Sequence, residues 1–184
     1  IKRVLVAFIP TGVIGLVLYK VVKMYLLGST NVILWALLLG GIALIAFEFF
    51  HEKEGKEEKE VEQITYKQAL GIGLFQSLAI VPGVSRSAAT ILGGMLLGLK
   101  RRTAVEFSFL VAIPTMGAAV ALDLLKNADT FSRDQAGVLL FGCVIAFFVA
   151  LVTVKAMTAF VRRHTFLLFG AYRIVFAMGF LWFL

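Results

Sequence analysis

The feature that most constrains this chain is a series of apolar runs that reach the ~18–20 residues needed to cross a bilayer as a helix. Of its 184 residues, 60% are hydrophobic and 16% are charged. Soluble domains are usually about 45–50% apolar and about 25% charged. The ~10-residue alternation of a membrane β-barrel is not seen in the sequence. We therefore predict an all-α polytopic integral membrane protein with a single membrane domain.

Five transmembrane helices and one hydrophilic loop are predicted along the chain. The helices are expected at about residues 4–19, 31–50, 104–125, 136–157 and 166–184. The loop, residues 51–67, overlaps a stretch, Glu48–Glu62, that holds seven acids and three lysines. We interpret this stretch as a solvated loop or fraying helix, with an acidic metal or partner site as the less favoured alternative. Because the chain starts at Ile1 inside a basic-then-apolar pattern, we expect it to be a fragment whose N-terminal part is missing.

One apolar segment, residues 69–99, fits neither one membrane crossing nor two. As a helix it would rise ~45 Å at ~1.5 Å per residue, which is too long for one upright crossing of a ~30 Å core and too short for two. Pro82-Gly83 interrupts it near the middle, and proline removes a helix donor. The simplest solution is a re-entrant hairpin of two half-helices that return to the same face. Such a broken backbone needs protein or a water-filled cavity around it.

The distribution of positive charges supports the re-entrant arrangement. With a hairpin, one face carries twelve Lys and Arg residues, at positions 2, 3, 53, 56, 59, 67, 100, 101, 102, 155, 162 and 163. The other face then carries four, at positions 20, 23, 126 and 133. A single crossing would give eight against eight. The positive-inside rule favours the hairpin and places the richer face in the cytoplasm; two complete crossings give the same count, and only the segment length excludes them.

The break in this segment carries an arginine, Arg86, within the stretch Val81–Leu92. A cation at the bilayer centre costs at least ~2.5–3.5 kcal/mol, so such a residue is a functional candidate by default. The alternative is an ion pair with a buried carboxylate, for which Glu106 is expected to be the only acid outside the hydrophilic loops. A guanidinium can also bind a phosphate through two parallel hydrogen bonds, which an ammonium cannot.

Three hydroxyl side chains flank this arginine. The second half-helix is expected to begin just after Gly83, and its free N–H groups and positive dipole end favour an anion. Ser85, Ser87 and Thr90 add hydroxyl groups, and N-capping is the alternative role for the serines. Together these residues predict a phosphate cradle at membrane depth.

The stretch from Pro82 to Ile91 resembles the second signature motif of the undecaprenyl-diphosphate phosphatase, or bacitracin-resistance, family. The resemblance covers essentially the whole chain and includes Thr65-Tyr66, Phe75–Ala79, Glu106–Leu110, Ile113-Pro114 and Ala171–Arg173. It implies a membrane hydrolase that converts undecaprenyl (polyprenyl) diphosphate to the monophosphate plus phosphate. This reaction recycles the lipid carrier of peptidoglycan synthesis and confers bacitracin resistance. It also implies the bacterial inner membrane, a divalent cation (Mg or Ca), and two inverted repeats, each a hairpin plus three crossings, of which this chain holds the second.

The resemblance assigns roles to seven residues of this chain. Arg86, Ser85 and Ser87 are the catalytic candidates, with Arg86 holding the diphosphate and stabilising charge as the P–O bond breaks. The substrate-binding candidates are Gly83, Thr90, Gln76 and Glu106. Gln76 is as easily a helix–helix contact, and a surface pair with Arg102 is the simpler interpretation of Glu106.

The family's first motif, a glutamate pair followed by Pro-x-Ser-Ser-Thr-Gly-His, is absent from this chain. The nucleophile, its histidine partner and the metal-associated glutamates are therefore expected in the missing repeat. No metal ligand is identified here, and the fragment is expected to be inactive alone. His51 and His164 are expected to be solvated, and Cys143 to pack in an apolar run.

The sequence also allows a second function and contains two weaker signals. The alternative function is an inverted-repeat transporter or flippase of a phosphorylated polyprenyl lipid. Expected partners are the polyprenyl diphosphate, the bilayer and a second copy of the chain. No nucleic acid is expected, because the net charge of +7 is attributed to cytoplasmic loops. Arg173 could snorkel, pair or support the site, and Ile-Pro-Thr, which occurs at Ile9–Thr11 and Ile113–Thr115, is interpreted as a chance repeat.

Overall fold

The computed structural model describes residues 1–50, 60–126 and 136–183, and these are helical with no β-strand among them. The all-α prediction is therefore confirmed. Seven α-helices occur in the described ranges: α1 Lys2–Val21, α2 Thr30–Phe50, α3 Tyr66–Ser77, α4 Arg86–Leu96, α5 Arg101–Lys126, α6 Ala136–Arg163 and α7 Leu167–Phe183. A π-helical turn, Val22–Leu26, extends α1, and short 3₁₀ turns precede α3 and follow it.

Four of the described helices are long and apolar enough to cross a membrane. These spans are Lys2–Leu26, Thr30–Phe50, Arg101–Lys126 and Gly137–Val161. A fifth apolar helix, Leu167–Trp182, is shorter. Their side chains are largely exposed on the surface of the bundle, as expected where lipid is the solvent. The chain is a multi-pass membrane protein.

Two short helices, α3 and α4, occupy the segment that the sequence predicts to be a hairpin. Thr65 begins α3 with a capping box, in which its Oγ1 accepts from the Gln68 amide at 3.2 Å and Gln68 Oε1 accepts from the Thr65 amide at 3.0 Å. After a 3₁₀ turn the backbone leaves helical geometry at Val81. Gly83 has a φ of +91°, a conformation that is strained for residues with a Cβ. The depth of this turn in a bilayer stays a prediction.

The hairpin lies between the remaining helices. The α3 helix packs on α1 and α4, the α4 helix packs on α5, and α2 packs mainly on α7. Phe107 and Val111 of α5 are completely buried against Ile72 of α3 and Met95 of α4 in one core cluster. The α6 helix packs on α5, and most of its side chains are exposed. The hairpin is thus the best-buried part of the described bundle.

A buried ion pair joins three helices and corrects one expectation from the sequence. Glu48, assigned there to the hydrophilic stretch, lies in the last turn of α2, and its side chain is 5% exposed. Its carboxylate accepts from Arg101 Nη2 at 2.7 and 2.9 Å and from the Phe166 amide at 3.2 Å. Glu106 is therefore not the only acid outside the loops. Arg101 neutralises this carboxylate, so Glu48 can be buried near the end of α2.

The predicted hydrophilic loop falls mainly outside the described ranges. Residues 51–59, which include His51, are not described. His164 is exposed in the turn before α7, where its ring stacks on Phe160 with centroids 4.1 Å apart. The expectation of a solvated histidine agrees with this position.

Candidate active site

The first turn of α4 presents two serines on its open side. Ser85 is the N-cap, and its Oγ accepts from the Ala88 amide at 3.2 Å. The Ser85 and Ser87 hydroxyls lie 3.1 Å apart, and Ser87 is exposed. Capping therefore occupies one lone pair of Ser85 and leaves both hydroxyls beside the N-terminus of a helix. The remaining N–H groups of such a terminus have no partner within the helix and favour an anion.

The guanidinium of Arg86 lies partly buried between α4 and α5. Its Nη1 donates to the Ser108 carbonyl at 3.3 Å. In the described ranges this arginine forms no ion pair with a carboxylate. Glu106, the expected alternative partner, instead accepts from Arg102 Nε at 2.9 Å. Arg86 thus keeps a positive charge that the surrounding side chains do not neutralise.

Thr90 points into the protein and away from the two serines. Its Oγ1 lies 2.6 Å from Ser108 Oγ and 3.0 Å from the carbonyls of Arg86 and Ser87. Thr90 is 1% exposed and Ser108 is 2% exposed. The hydroxyl pair fixes the first turn of α4 on α5. Ser108 has no assigned role in the sequence analysis, because only the packing of the two helices brings it to this position.

Gln76, on α3, connects three helices in the described structure. Its Nε2 donates to Thr11 Oγ1 at 2.9 Å and to Thr115 Oγ1 at 3.2 Å. Each threonine hydroxyl donates in turn to a backbone carbonyl, that of Gly73 at 3.0 Å and that of Val111 at 2.7 Å. This arrangement is the helix–helix contact weighed as the alternative for Gln76. A substrate contact through its Oε1 stays a prediction.

The two threonines around Gln76 are the last residues of the repeated Ile-Pro-Thr. From the sequence alone the repeat is interpreted as chance, with no role for either copy. In the structure Thr11 of α1 and Thr115 of α5 bind the same amide nitrogen. The repeat was the available signal for this polar cluster.

Gly83 is held at the turn from two sides. A Cβ at this position would lie 2.5 Å from the carbonyl oxygen of Ile33 on α2. Its own carbonyl accepts from Arg173 Nη2 of α7 at 2.6 Å. Substrate binding by Gly83 stays a prediction, and the structure adds these two contacts with neighbouring helices.

An apolar groove of about 440 Å³ lies beside the first turns of α4. It is lined by side chains of α2, the hairpin helices and the turn between them: Ala43, Ala46, Phe47, Phe50, Phe75, Leu78, Ala89, Leu92 and Leu96. Ala89 is three residues from Arg86, so one end of the groove lies next to the candidate site. Its lining suits a hydrocarbon chain.

The described residues do not fit a divalent cation site. Within residues 1–50, 60–126 and 136–183, no three His, Cys, Asp or Glu side chains are grouped as metal ligands would be. The turn offers hydroxyls and a guanidinium, whereas Mg²⁺ and Ca²⁺ prefer carboxylate and carbonyl oxygens. The turn is instead suited to an anion.

Comparison with known proteins gives one consistent result. Residues 1–179 match the family model described as Bacitracin resistance protein BacA. A relative named undecaprenyl-diphosphatase from Sulfurihydrogenibium sp. (strain YO3AOP1) is 45% identical over 183 residues, which are 100% of this chain and 71% of the relative. Proteins of the same name are 47% identical in Wolinella succinogenes, covering 99% of this chain and 70% of the relative, and 46% identical in Aquifex aeolicus, covering 95% and 68%.

Proposed function

The chain belongs to the bacitracin resistance protein BacA family, and from this we propose that it is an undecaprenyl-diphosphate phosphatase in which the hairpin turn binds the diphosphate. The reaction is the hydrolysis of undecaprenyl diphosphate to the monophosphate and phosphate. The observation that carries the role of the turn is Arg86, a partly buried arginine at the N-terminus of a helix, for which the described part of the chain provides no carboxylate partner.

Arg86 stabilises the negative charge of the diphosphate in this proposal. Its Nη1 is bonded to the Ser108 carbonyl, which aims the guanidinium while other N–H groups remain for phosphate oxygens. Preorganised positive groups of this kind are the main catalytic device in phosphoryl transfer. The guanidinium therefore binds the substrate and also favours the charge that develops on the departing oxygen.

Ser85 and Ser87 contribute hydroxyl donors on the open side of the turn. Ser85 caps α4 through a lone pair, and its contact with the Ser87 hydroxyl uses one of the two hydroxyl protons, so the other can be donated to a phosphate oxygen. Ser87 is exposed next to it. The proposal uses these hydroxyls for binding and orientation. It assigns no nucleophile and no base.

The proposal also covers the prenyl tail of the substrate and the cellular location of the activity. The apolar groove next to Ala89 suits a segment of the prenyl tail. The residues of the turn do not fit Mg²⁺ or Ca²⁺, and the divalent cation stays a prediction. We place the activity in the bacterial inner membrane, where it recycles the lipid carrier of cell-wall synthesis. A homodimer stays a prediction.

The test is Arg86→Lys in the complete protein, with phosphate release from a prenyl diphosphate measured in detergent. We expect kcat/KM to fall by ~100-fold or more, because lysine keeps the charge but loses the two-pronged geometry. Arg102→Lys is the matched control, since that side chain is exposed and pairs with Glu106, and we expect it to stay near wild type.

Two outcomes would contradict the proposal at different points. Near wild-type activity of Arg86→Lys would remove the assigned role of Arg86. A wild-type protein that transports a polyprenyl diphosphate across vesicles but releases no phosphate would favour the transporter instead. The comparisons with diphosphatases do not favour that alternative.

A further inference from the structure

A second arginine in an apolar helix, Arg173 of α7, contacts the hairpin turn at Gly83. Its Nη2 donates to the Gly83 carbonyl at 2.6 Å. Its Nε is buried and has no hydrogen-bond partner among the described residues. A cation in an apolar helix is costly, so a contact this specific calls for a role.

Close packing of α2 on α7 brings this guanidinium to the turn. A Cβ at Gly41 would lie 2.8 Å from the Gly170 carbonyl oxygen, and a Cβ at Gly170 would lie 2.9 Å from the Gly41 carbonyl oxygen. The two backbones can approach so closely only because both positions are glycine. Next to this contact, a Cβ at Gly40 would lie 3.0 Å from Arg173 Nη2, so the guanidinium occupies the space left by the missing side chain.

The carbonyl that Arg173 binds belongs to the non-helical turn between the two helices of the hairpin. The backbone from Val81 to Ser85 is not helical. Within it, the Val81 and Ser85 carbonyls accept from the Val84 and Ala89 amides at 3.1 and 3.0 Å, whereas the Gly83 carbonyl accepts from Arg173. A carbonyl surrounded by protein and lipid needs such a partner, because water does not replace it freely there. Ser85 and Arg86 follow Gly83 by two and three residues. A rotation of the Gly83 peptide therefore changes the direction in which α4 starts.

We propose that Arg173 is a positioning residue, whose hydrogen bond to Gly83 fixes the turn so that Arg86 and the two serines face the diphosphate. The orientation of these residues toward a diphosphate rests on the proposed function. The restriction of the turn by Arg173 does not, because it is a property of the protein without substrate. An arginine suits the task because its planar guanidinium donates in a fixed direction, whereas a lysine ammonium does not.

The test compares three variants of the complete protein with one control. Arg173→Met removes the hydrogen-bond donors and keeps an unbranched side chain. Arg173→Lys keeps the positive charge but replaces the planar guanidinium by a single ammonium group. Gly40→Val keeps the arginine but fills the space of its guanidinium. Gly117→Val on α5 is the control, because nothing lies within 4 Å of a Cβ there.

The first readout is the mobility of the turn without substrate. A nitroxide label on Val84→Cys, in a Cys143→Ala background, is followed by electron paramagnetic resonance. We expect Arg173→Met and Gly40→Val to give a distinctly more mobile label, Arg173→Lys an intermediate one, and Gly117→Val no change. This measurement does not depend on any enzymatic activity.

The second readout is steady-state phosphate release, measured without the label. Misplacing a catalytic group by about 1 Å can cost ~100-fold, so we expect kcat to fall at least ~10-fold in Arg173→Met and in Gly40→Val. We expect Arg173→Lys to recover part of this loss. The partial recovery separates positioning from a general loss of packing.

Unchanged label mobility in both Arg173→Met and Gly40→Val would overturn the inference. Gly40→Val decides the question where Arg173→Met fails to fold, because it keeps every atom of the arginine. A wild-type protein that releases no phosphate would refute the proposed function, while the label mobility would still decide whether Arg173 fixes the turn.

Discussion

At the scale of single residues, the polar side chains of α4 fall into two groups, one on the open side of the helix and one buried against α5. Ser85 and Ser87 lie on the open side of the first turn, and Thr90 is buried against Ser108. Arg86 lies between the two groups and is bound through the Ser108 carbonyl. The motif thus combines residues that can meet a ligand with residues that hold the helix in place.

Replacement of Thr90 by valine separates these two roles. The change keeps the shape of the side chain but leaves the buried Ser108 hydroxyl without its partner at 2.6 Å. We expect a loss of ~1–3 kcal/mol in the free energy of unfolding, measured by SDS titration in detergent with circular dichroism.

The control for this change is Ser87→Ala. Ser87 is exposed, so we expect a change within about 0.5 kcal/mol in the free energy of unfolding, together with reduced phosphate release. If Thr90→Val instead kept its stability and lost activity alone, Thr90 would be a substrate ligand and not a packing residue.

At the scale of helices, local chemistry explains where the hairpin begins and breaks. Thr65 and Gln68 form the capping box that starts α3, and Pro82-Gly83 prevents a continuous helix. Arg101 joins the end of α2 to the start of α5 and donates to the His164 carbonyl at 3.1 Å. This ion pair fixes the helices that surround the hairpin.

Removing one partner of that ion pair should destabilise the protein strongly. In Glu48→Ala the Arg101 guanidinium stays between the helices without its carboxylate. We expect a cost toward the lower end of the ~3–5 kcal/mol typical of a broken buried pair, because Arg101 is 23% exposed while Glu48 is 5% exposed. The free energy of unfolding in detergent measures it.

The exposed pair on α5 offers the matched comparison. Glu106→Ala removes a carboxylate from the i,i+4 pair with Arg102, whose side chain is 48% exposed, and we expect a cost below ~1 kcal/mol. Equal costs for the two variants would show that burial does not strengthen the Glu48–Arg101 pair.

The sequence was sufficient for the parts of this structure that local chemistry decides. Run length and Pro82-Gly83 predict the helices and the break, and Arg86 is prominent because it is charged in an apolar segment. The role of Glu48 could not be predicted, since its partner lies fifty-three residues away. For the same reason Ser108 was missed and three roles stayed open for Arg173: each acquires its role from a contact between helices that the periodicity of one helix does not contain.

At the scale of the whole molecule, the hairpin decides on which side every later loop lies. The positive charges favour a layout in which the chain enters and leaves the hairpin at one face. The buried hairpin, packed between α1 and α5, agrees with a segment surrounded by protein at membrane depth.

Cysteine labelling from the two sides of the membrane tests this layout. In a Cys143→Ala background, we expect Lys67→Cys and Lys100→Cys to react with an impermeant maleimide from the same side, and Lys23→Cys from the other. A single crossing by residues 69–99 predicts that the Lys67 and Lys100 positions react from opposite sides, and that result would refute the hairpin.

The bond between Arg173 and Gly83 also has a consequence for biosynthesis. It joins residues ninety positions apart, and a ribosome makes the turn long before it makes α7. The Gly83 carbonyl therefore cannot have this partner until α7 has been synthesised. If the bond fixes the turn as proposed, the newly made protein acquires its binding geometry only once α7 is in place.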